Sequence, residues 1–217
     1  MKKYRGIIFD LDGTLLDTII DIANSVNMAL TKYGYENHTI EDYKLKLGRG
    51  FRDLIEKSVP VETSEENVKK VLRSFVEHYD NNFLNETKPY SGIIELLTEL
   101  DKMGVKLAVN SNKRDDYTKR CIERYFSNIP FVAVFGQRDE VPRKPDPTSA
   151  NEIAELMNLK TDEMLYVGDT KTDMMTANNA KMDGVGVLWG FRSYEELKSN
   201  GAKYLISDPI EIIKIIG

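Results

Sequence analysis

Short apolar segments alternate with longer amphipathic segments along this chain, a pattern typical of an α/β domain with a parallel sheet. The first apolar segment, residues 6–9, is apolar on both faces, as expected of a central strand covered by helices on both sides. Segments of the same character predict later strands at residues 105–111, 130–136, 163–169, 183–190 and 203–206. The pattern therefore predicts an α/β core.

The segment after the first strand has a different pattern. From residue 18 to about residue 84 it contains no convincing buried strand. Apolar positions there recur at helical spacing, which predicts amphipathic helices over residues 19–33, 39–47, 52–59 and 65–83. The sequence thus predicts an α/β core of residues 1–16 and 84–217, interrupted by an all-helical domain of residues 17–83.

Several helix starts are also predicted from local chemistry. Residues 63–66 (Thr-Ser-Glu-Glu) and residues 193–196 (Ser-Tyr-Glu-Glu) have the spacing of a capping box. Asp208 followed by Pro209 predicts a further helix with proline at its first position.

Composition narrows the class of protein. The chain has 217 residues, 41% of them hydrophobic and 30% charged, which excludes a disordered chain. With 30 Lys and Arg against 35 Asp and Glu, its net charge of −5 argues against a nucleic-acid or membrane-surface partner. No apolar stretch approaches the ~20 residues that a bilayer requires. The single cysteine, Cys121, excludes an intramolecular disulfide framework and indicates the cytoplasm.

The strongest chemical signal is the DLDGTL run at residues 10–15, directly after the first strand. Ligand sites in open α/β sheets lie at the carboxyl ends of strands. Asp10 and Asp12 would repel each other there and favour binding of a divalent cation, while Gly13 permits a sharp turn. The structural alternative is an Asp-rich turn in which Asp17 caps the next helix, but such a turn does not need this many carboxylates.

Two further signals follow later in the chain. Ser111 would present its hydroxyl at the carboxyl end of the next core strand, where the following amides could receive an anion, although a helix cap is the simpler interpretation. Lys144 precedes Pro145, which holds it out of a helix. The alternative for this lysine is a solvated turn.

The last signal is a pair of aspartates after the strand predicted at residues 163–169. Asp169 ends this strand and Asp173 lies one helical turn further on, so both carboxylates face one point if a helix begins near Thr170. Stabilisation of the helix dipole is the alternative explanation, and it accounts for one of these acids better than for two.

In this order and spacing, the four motifs resemble the haloacid dehalogenase superfamily of phosphohydrolases over essentially the whole chain. The helical segment looks like the helical cap of that family. The stretches KPDPTSANEIAELMNL and GVGVLWGFRSYEEL are similar to its phosphoglycolate phosphatase branch. The resemblance implies a Rossmann-like parallel-sheet core with an inserted helical cap. It also implies a cytoplasmic, Mg²⁺-dependent phosphatase of a small phosphorylated metabolite, acting as a monomer or homodimer.

The resemblance assigns a role to each motif residue. Asp10 is the nucleophile that forms an aspartyl-phosphate, and Asp12 is the general acid and then the base. Ser111 and Asn112 bind the phosphoryl group, and Lys144 neutralises its charge.

The resemblance also implies the ligands of the metal. Mg²⁺ is held by Asp10, the main-chain carbonyl of Asp12, and Asp169. Asp173 orients Lys144 or a metal-bound water rather than binding the metal directly.

Residues 48–52 of the helical domain (Gly-Arg-Gly-Phe-Arg) are predicted to form a recognition loop. Glycines flank Arg49 and permit close approach to a ligand, so Arg49 and Arg52 could grip a substrate carboxylate. The loop also falls where related helical-cap phosphatases carry their specificity loop. Alternatively, either arginine pairs with a nearby acid such as Glu41, Asp42 or Asp53.

Three other functions remain to be weighed. A sugar phosphomutase resembling β-phosphoglucomutase carries a histidine just after the first motif, whereas this chain has Thr-Ile-Ile-Asp at residues 18–21. It also carries an acidic pair at the fourth motif, where this chain has Gly168 and Asp169. Both differences count against a phosphomutase. A dehalogenase proper lacks the second aspartate of the first motif, which is present here as Asp12. A non-catalytic regulatory member of the fold would be signalled by loss of Asp10 or Asp12.

Overall fold

The computed structural model describes residues 4–217, so residues 1–3 of the predicted core lie outside the described chain. Its strands are β1 (Gly6–Phe9), β2 (Leu16–Asp17), β3 (Lys88–Pro89), β4 (Lys106–Arg114), β5 (Ala133–Gln137), β6 (Met164–Gly168), β7 (Asp183–Val187) and β8 (Tyr204–Ile206). Its α-helices are α1 (Ile19–Lys32), α2 (Ile40–Lys46), α3 (Phe51–Glu56), α4 (Glu65–Asn82), α5 (Ile93–Lys102), α6 (Asp115–Phe126), α7 (Thr148–Met157), α8 (Lys171–Asn179), α9 (Tyr194–Ser199) and α10 (Glu211–Ile216).

Six strands form one parallel sheet in the order β5-β4-β1-β6-β7-β8. The first strand lies in the interior, and Phe9 at its end is level with Val109 of β4 and Val167 of β6. Residues that follow these positions therefore meet at one edge of the sheet. The predicted parallel α/β core is confirmed.

The sheet is stable because its strands bury apolar side chains against helices. Ile8, Ala108 and Tyr166, from three adjacent strands, pack with Ile153 and Met157 of α7 in one buried cluster. Each Å² of apolar surface that is buried stabilises the fold by about 25 cal/mol, so such a cluster is a principal source of stability. Within residues 4–217, no helix combines the length and the apolar character that a bilayer-spanning segment needs.

The chain divides into two compact units. The first unit consists of two segments of the chain, the residues up to Leu16 and Pro89–Gly217. The second unit is Asp17–Lys88. Helices α1 to α4 belong to the second unit, where α1 and α4 pack together. The buried face of α4 includes Phe75 and Tyr79, whose rings stack with centroids 5.3 Å apart.

Two of the predicted helix starts are wrong in detail. Helix α4 is capped by Ser64, whose hydroxyl accepts from the amide of Asn67, so Thr63 is not the capping residue. Helix α10 begins at Glu211 with Ile210 at its N-cap, two residues after the predicted first position at Pro209. The carboxylate of Glu211 accepts hydrogen bonds from the amides of Ser207 and Asp208. The predicted cap of α9 is confirmed, since Ser193 accepts from the amide of Glu196.

Candidate active site

The carboxyl edge of the sheet brings together residues from all four motifs. Asp10 directly follows β1, Ser111 lies in the last part of β4, and Asp169 directly follows β6. Lys144 lies in a turn before α7, and Asp173 lies in the first turn of α8. All five residues are buried, so the edge holds an unusual concentration of charge out of water.

Lys144 joins two of these carboxylates. Its Nζ lies 2.9 Å from Oδ1 of Asp10 and 2.8 Å from Oδ1 of Asp173. Burial alone lowers the pKa of the Lys144 ammonium, but Asp10 and Asp173 outweigh it and raise that pKa well above its usual range. These neighbours favour the charged form of the lysine, and because its side chain is buried the alternative of a solvated turn lysine is wrong.

Asp173 has a structural partner on its other oxygen. Oδ2 accepts from the amide of Thr170, the N-cap residue of α8, at 3.0 Å and from its hydroxyl at 2.6 Å. Both oxygens of Asp173 are thus engaged, one by the helix cap and one by Lys144.

Asp169 is held by groups that the sequence analysis did not single out. The hydroxyl of Thr14 donates to its Oδ1 at 2.9 Å, and the amide of Phe191 donates to its Oδ2 at 2.9 Å. A Cβ atom at Gly13 or at Gly190 would overlap with Asp169. The two glycines are therefore required for the close packing around this carboxylate.

Asp12 faces a second buried cation that sequence reasoning missed. Nζ of Lys113 lies 3.0 Å from Oδ1 and 3.3 Å from Oδ2 of Asp12. The lysine side chain is completely buried, whereas the side chain of Asp12 keeps 18% of its surface exposed. The available signal was the position of Lys113, two residues after Ser111, at the end of a core strand.

Ser111 and Asn112 lie together beside this lysine. The amide of Lys113 donates to the hydroxyl of Ser111 at 3.3 Å. Helix α6 begins at Asp115 with Arg114 at its N-cap, so Ser111 is not the helix cap that the simpler interpretation proposed. The side-chain amide of Asn112 is bonded to the main chain of Lys144, so a phosphate contact from Asn112 would come from its main-chain amide.

The cluster would carry more negative than positive charge if all of its carboxyl groups were ionised. Ligand oxygens of Asp10, Asp169 and Asp173 all lie within 4.8 Å of one another. Burial raises the pKa of Asp10 to about 7, against a partly compensating effect of Lys144. Burial, with Asp173 and Asp10 nearby, also raises the pKa of Asp169 well above its usual range. One ammonium among three carboxylates leaves the site short of positive charge, and an oxygen-binding divalent cation would supply it. These residues fit such a metal.

The two arginines of the predicted recognition loop, Arg49 and Arg52, differ in their surroundings. Arg49 is exposed between Gly48 and Gly50, which have φ angles of 121° and 89°. The guanidinium of Arg52 contacts the carboxylates of Glu56 and Glu65, each at 2.7 Å. Arg52 thus pairs with acids, though not with the three that the sequence suggested.

Comparison with known proteins agrees with this fold. The family model of haloacid dehalogenase-like hydrolases matches residues 7–187, which include all four motifs. The chain belongs to the haloacid dehalogenase-like hydrolase family, and the resemblance drawn from its motifs is confirmed.

Within this family, the chain is similar to several phosphoglycolate phosphatases. The chain is 33% identical to a phosphoglycolate phosphatase of Aquifex aeolicus over 217 residues, covering 98% of this chain and 96% of that one. It is 32% identical to a phosphoglycolate phosphatase of Mesorhizobium japonicum over 188 residues, which cover 85% of this chain and 83% of that one. A crystal structure of a Lactobacillus delbrueckii subsp. bulgaricus protein, assigned as a phosphoglycolate phosphatase, superposes over 100% of both chains with a TM-score of 0.93 and 30% identity.

Proposed function

We propose that this chain, a phosphatase of its family, hydrolyses a small phosphorylated metabolite in the cytoplasm through an aspartyl-phosphate on Asp10. The observation that carries this proposal is the position of Asp10. It is a buried carboxylate at the carboxyl edge of the sheet, in contact with Lys144 and close to Asp169, with Asp12 two residues further along the chain.

The reaction takes place in two steps that use the two aspartates of the first motif. In the first, an oxygen of Asp10 forms a bond to phosphorus while the bond to the leaving oxygen breaks, and Asp12 gives its proton to that oxygen. In the second, Asp12 takes a proton from water as the water attacks phosphorus. The bond between phosphorus and Asp10 then breaks, which releases phosphate and restores the carboxylate of Asp10.

The remaining residues bind and orient the phosphoryl group. The ammonium of Lys144 reduces the repulsion between an incoming phosphate and Asp10, since it contacts the nucleophile directly. We assign the hydroxyl of Ser111 and the main-chain amide of Asn112 as donors to phosphoryl oxygens. Asp173 fixes the position of the Lys144 ammonium. Positioning and electrostatic stabilisation of this kind account for most of the catalysis in phosphoryl transfer.

Mg²⁺ is the cofactor that this donor set favours. The carboxylates of Asp10 and Asp169 and the main-chain carbonyl of Asp12 would hold it. When bound, the metal offsets the negative charge that develops on the phosphoryl oxygens. Thr14 and Phe191 orient Asp169 for this role through their hydrogen bonds to its two oxygens.

A phosphorylated carboxylic acid such as 2-phosphoglycolate is the substrate we favour. The two relatives described above, from Aquifex aeolicus and Mesorhizobium japonicum, are phosphoglycolate phosphatases. We assign residues 17–83 as a substrate-selecting cap and Arg49 as the group that grips the carboxylate. Arg52, whose guanidinium pairs with Glu56 and Glu65, is the second candidate. We expect a monomer or homodimer.

The proposal is tested by phosphatase assays with 2-phosphoglycolate and p-nitrophenyl phosphate, with Mg²⁺ and after chelation by EDTA. Asp10→Asn should abolish turnover and the acid-stable phosphoenzyme that forms in the wild type. Asp183→Asn is the matched control, because Asp183 lies at the start of β7, where it contacts Lys203. Residual turnover above a few per cent in Asp10→Asn, or full activity after chelation, would overturn the assignment.

A further inference from the structure

Lys113 is a buried cation next to the proposed acid–base residue. It lies near the end of β4, and its amide donates to the hydroxyl of Ser111. Its Nζ approaches both carboxylate oxygens of Asp12, at 3.0 Å and 3.3 Å. The contact joins two motifs that lie on neighbouring strands of the sheet.

The cost of burying this ammonium indicates that its place is specific. A lysine in this position loses nearly all of its hydration, which is tolerated only where charged or polar partners compensate. A strand that needed only a polar residue at this position would not require a buried charge. Here the ammonium is enclosed, whereas the carboxylate it contacts is partly open to solvent. The lysine therefore approaches Asp12 from the protein interior and leaves the other side of the carboxylate accessible.

We infer that Lys113 is a positioning residue for Asp12, an inference that rests on the proposed function. Contact with both oxygens restricts rotation of the carboxylate. The positive charge of the ammonium stabilises the carboxylate that remains after Asp12 has given its proton to the leaving oxygen. In the second step, the same contact keeps that carboxylate oriented toward the attacking water. Lys113 itself exchanges no proton and acts only through its contact with Asp12.

The test uses leaving groups of different basicity. Lys113→Met removes the charge but keeps the length of the side chain, and Lys113→Arg keeps the charge. Values of kcat/KM are measured for 2,4-dinitrophenyl, p-nitrophenyl, phenyl and alkyl phosphates. This parameter reports on the first chemical step, where a proton donor matters only for poor leaving groups. Lys113→Met should lose about 100-fold or more with alkyl phosphates and less than about threefold with the dinitrophenyl ester. Lys113→Arg should recover part of the loss.

A double-mutant cycle provides the second measurement. Asp12→Asn removes the group through which Lys113 acts, so adding Lys113→Met to that variant should cost no further activity. Lys106→Met is the control, because Lys106 lies at the opposite end of the same strand. It should leave kcat/KM unchanged for every ester. Thermal unfolding of each variant establishes that it is folded, and the cycle is read from Lys113→Arg if Lys113→Met does not fold.

Three results would overturn the inference. The first is an equal loss for all esters, which indicates a general structural or phosphate-binding role. The second is a rise in KM at unchanged kcat, which indicates contact with substrate. The third is additive losses in the cycle. Failure of the proposed function is distinguishable from these, because it would show in Asp10→Asn and in wild-type protein treated with EDTA.

Discussion

Asn112 and Lys144 are joined by a reciprocal pair of hydrogen bonds. The side-chain amide of Asn112 donates to the carbonyl of Lys144 at 3.2 Å, and its Oδ1 accepts from the amide of Lys144 at 3.0 Å. Both residues are buried, so these bonds are not replaced by water if one partner is lost. The asparagine after the strand-end serine therefore fixes the backbone that carries the ammonium facing Asp10.

Asn112→Ala should consequently impair both stability and activity. The substitution leaves a buried amide and a buried carbonyl without their partner, at a cost of about 2–4 kcal/mol for the two groups together. Because Lys144 would lose its fixed position, we expect kcat to fall about 10- to 100-fold. Urea unfolding and steady-state kinetics measure the two effects.

The matched control is Asn179→Ala. Asn179 is exposed and donates to the carbonyl of Pro145, the residue next to Lys144, at 2.8 Å. Its loss should cost less than about 1 kcal/mol and leave kcat unchanged, since water can replace the bond. Equal effects of the two substitutions would show that Asn112 has no special role in holding Lys144.

The contribution of Asp10 to the stability of the metal-free protein should fall as pH rises toward neutrality. In the folded chain burial raises the pKa of Asp10 to about 7, from an ordinary value of 3.8. A raised carboxyl pKa means that the folded state binds the proton more tightly than the unfolded state. The stability this provides is fully present below pH ~4 and is lost as pH rises to ~7. Asp10→Asn cannot titrate, so its advantage over the wild type should grow across this window.

Thermal unfolding in EDTA at several pH values measures this difference. We expect Asp10→Asn to gain on the order of 1–4 kcal/mol relative to wild type between pH 4 and pH 7, and little more above it. A difference that does not change with pH would show that Asp10 does not titrate in this range.

Mg²⁺ should stabilise the wild-type protein because it supplies positive charge to the acidic cluster. At 100 times its dissociation constant, a ligand specific for the folded state adds about 2.7 kcal/mol to the free energy of unfolding. Asp169→Asn should abolish most of this gain, whereas the control Asp183→Asn should retain it. Ca²⁺ should inhibit activity, since it accepts a looser and higher coordination than Mg²⁺. Equal stabilisation of Asp169→Asn would remove Asp169 from the metal site.

Gly190→Ala should weaken metal binding without unfolding the chain. A Cβ atom at residue 190 would overlap with Asp169 and with the carbonyl of Gly13, so Asp169 must shift. We expect the concentration of Mg²⁺ needed for half-maximal activity to rise about 10-fold or more. Gly184→Ala is the control. Its Cβ would meet the flexible side chain of Met174 at 3.3 Å and should leave the requirement for Mg²⁺ unchanged.

Arg49→Ala should raise KM for 2-phosphoglycolate and leave KM for p-nitrophenyl phosphate nearly unchanged. Loss of a charge-assisted contact to a carboxylate costs about 2–5 kcal/mol if the contact is desolvated. Arg52→Ala is the comparison. It removes exposed ion pairs with Glu56 and Glu65, so it should have little effect on either substrate. The same factor of loss for both substrates in Arg49→Ala would argue against recognition of a carboxylate by this loop.

The pattern of the sequence was sufficient to predict the parallel α/β core and the edge at which the motifs meet. The strands could be located because buried parallel strands are apolar on both faces, and Gly6–Phe9 is such a strand. Asp10 and Asp169 could be placed at the carboxyl edge because each directly follows a strand of this kind. These inferences need only local periodicity and the general topology of α/β sheets.

Only the tertiary structure decided which of these side chains touch. The order of the strands and the turn before α7 bring Lys113 to Asp12 and Asn112 to Lys144. The local sequence around each residue does not indicate its partner. The first residue of α4 also depended on a hydrogen bond that Ser64, and not Thr63, accepts from the amide of Asn67. Such contacts depend on distances of a few tenths of an ångström between segments far apart in the chain. Hydrophobic periodicity does not encode distances of that kind.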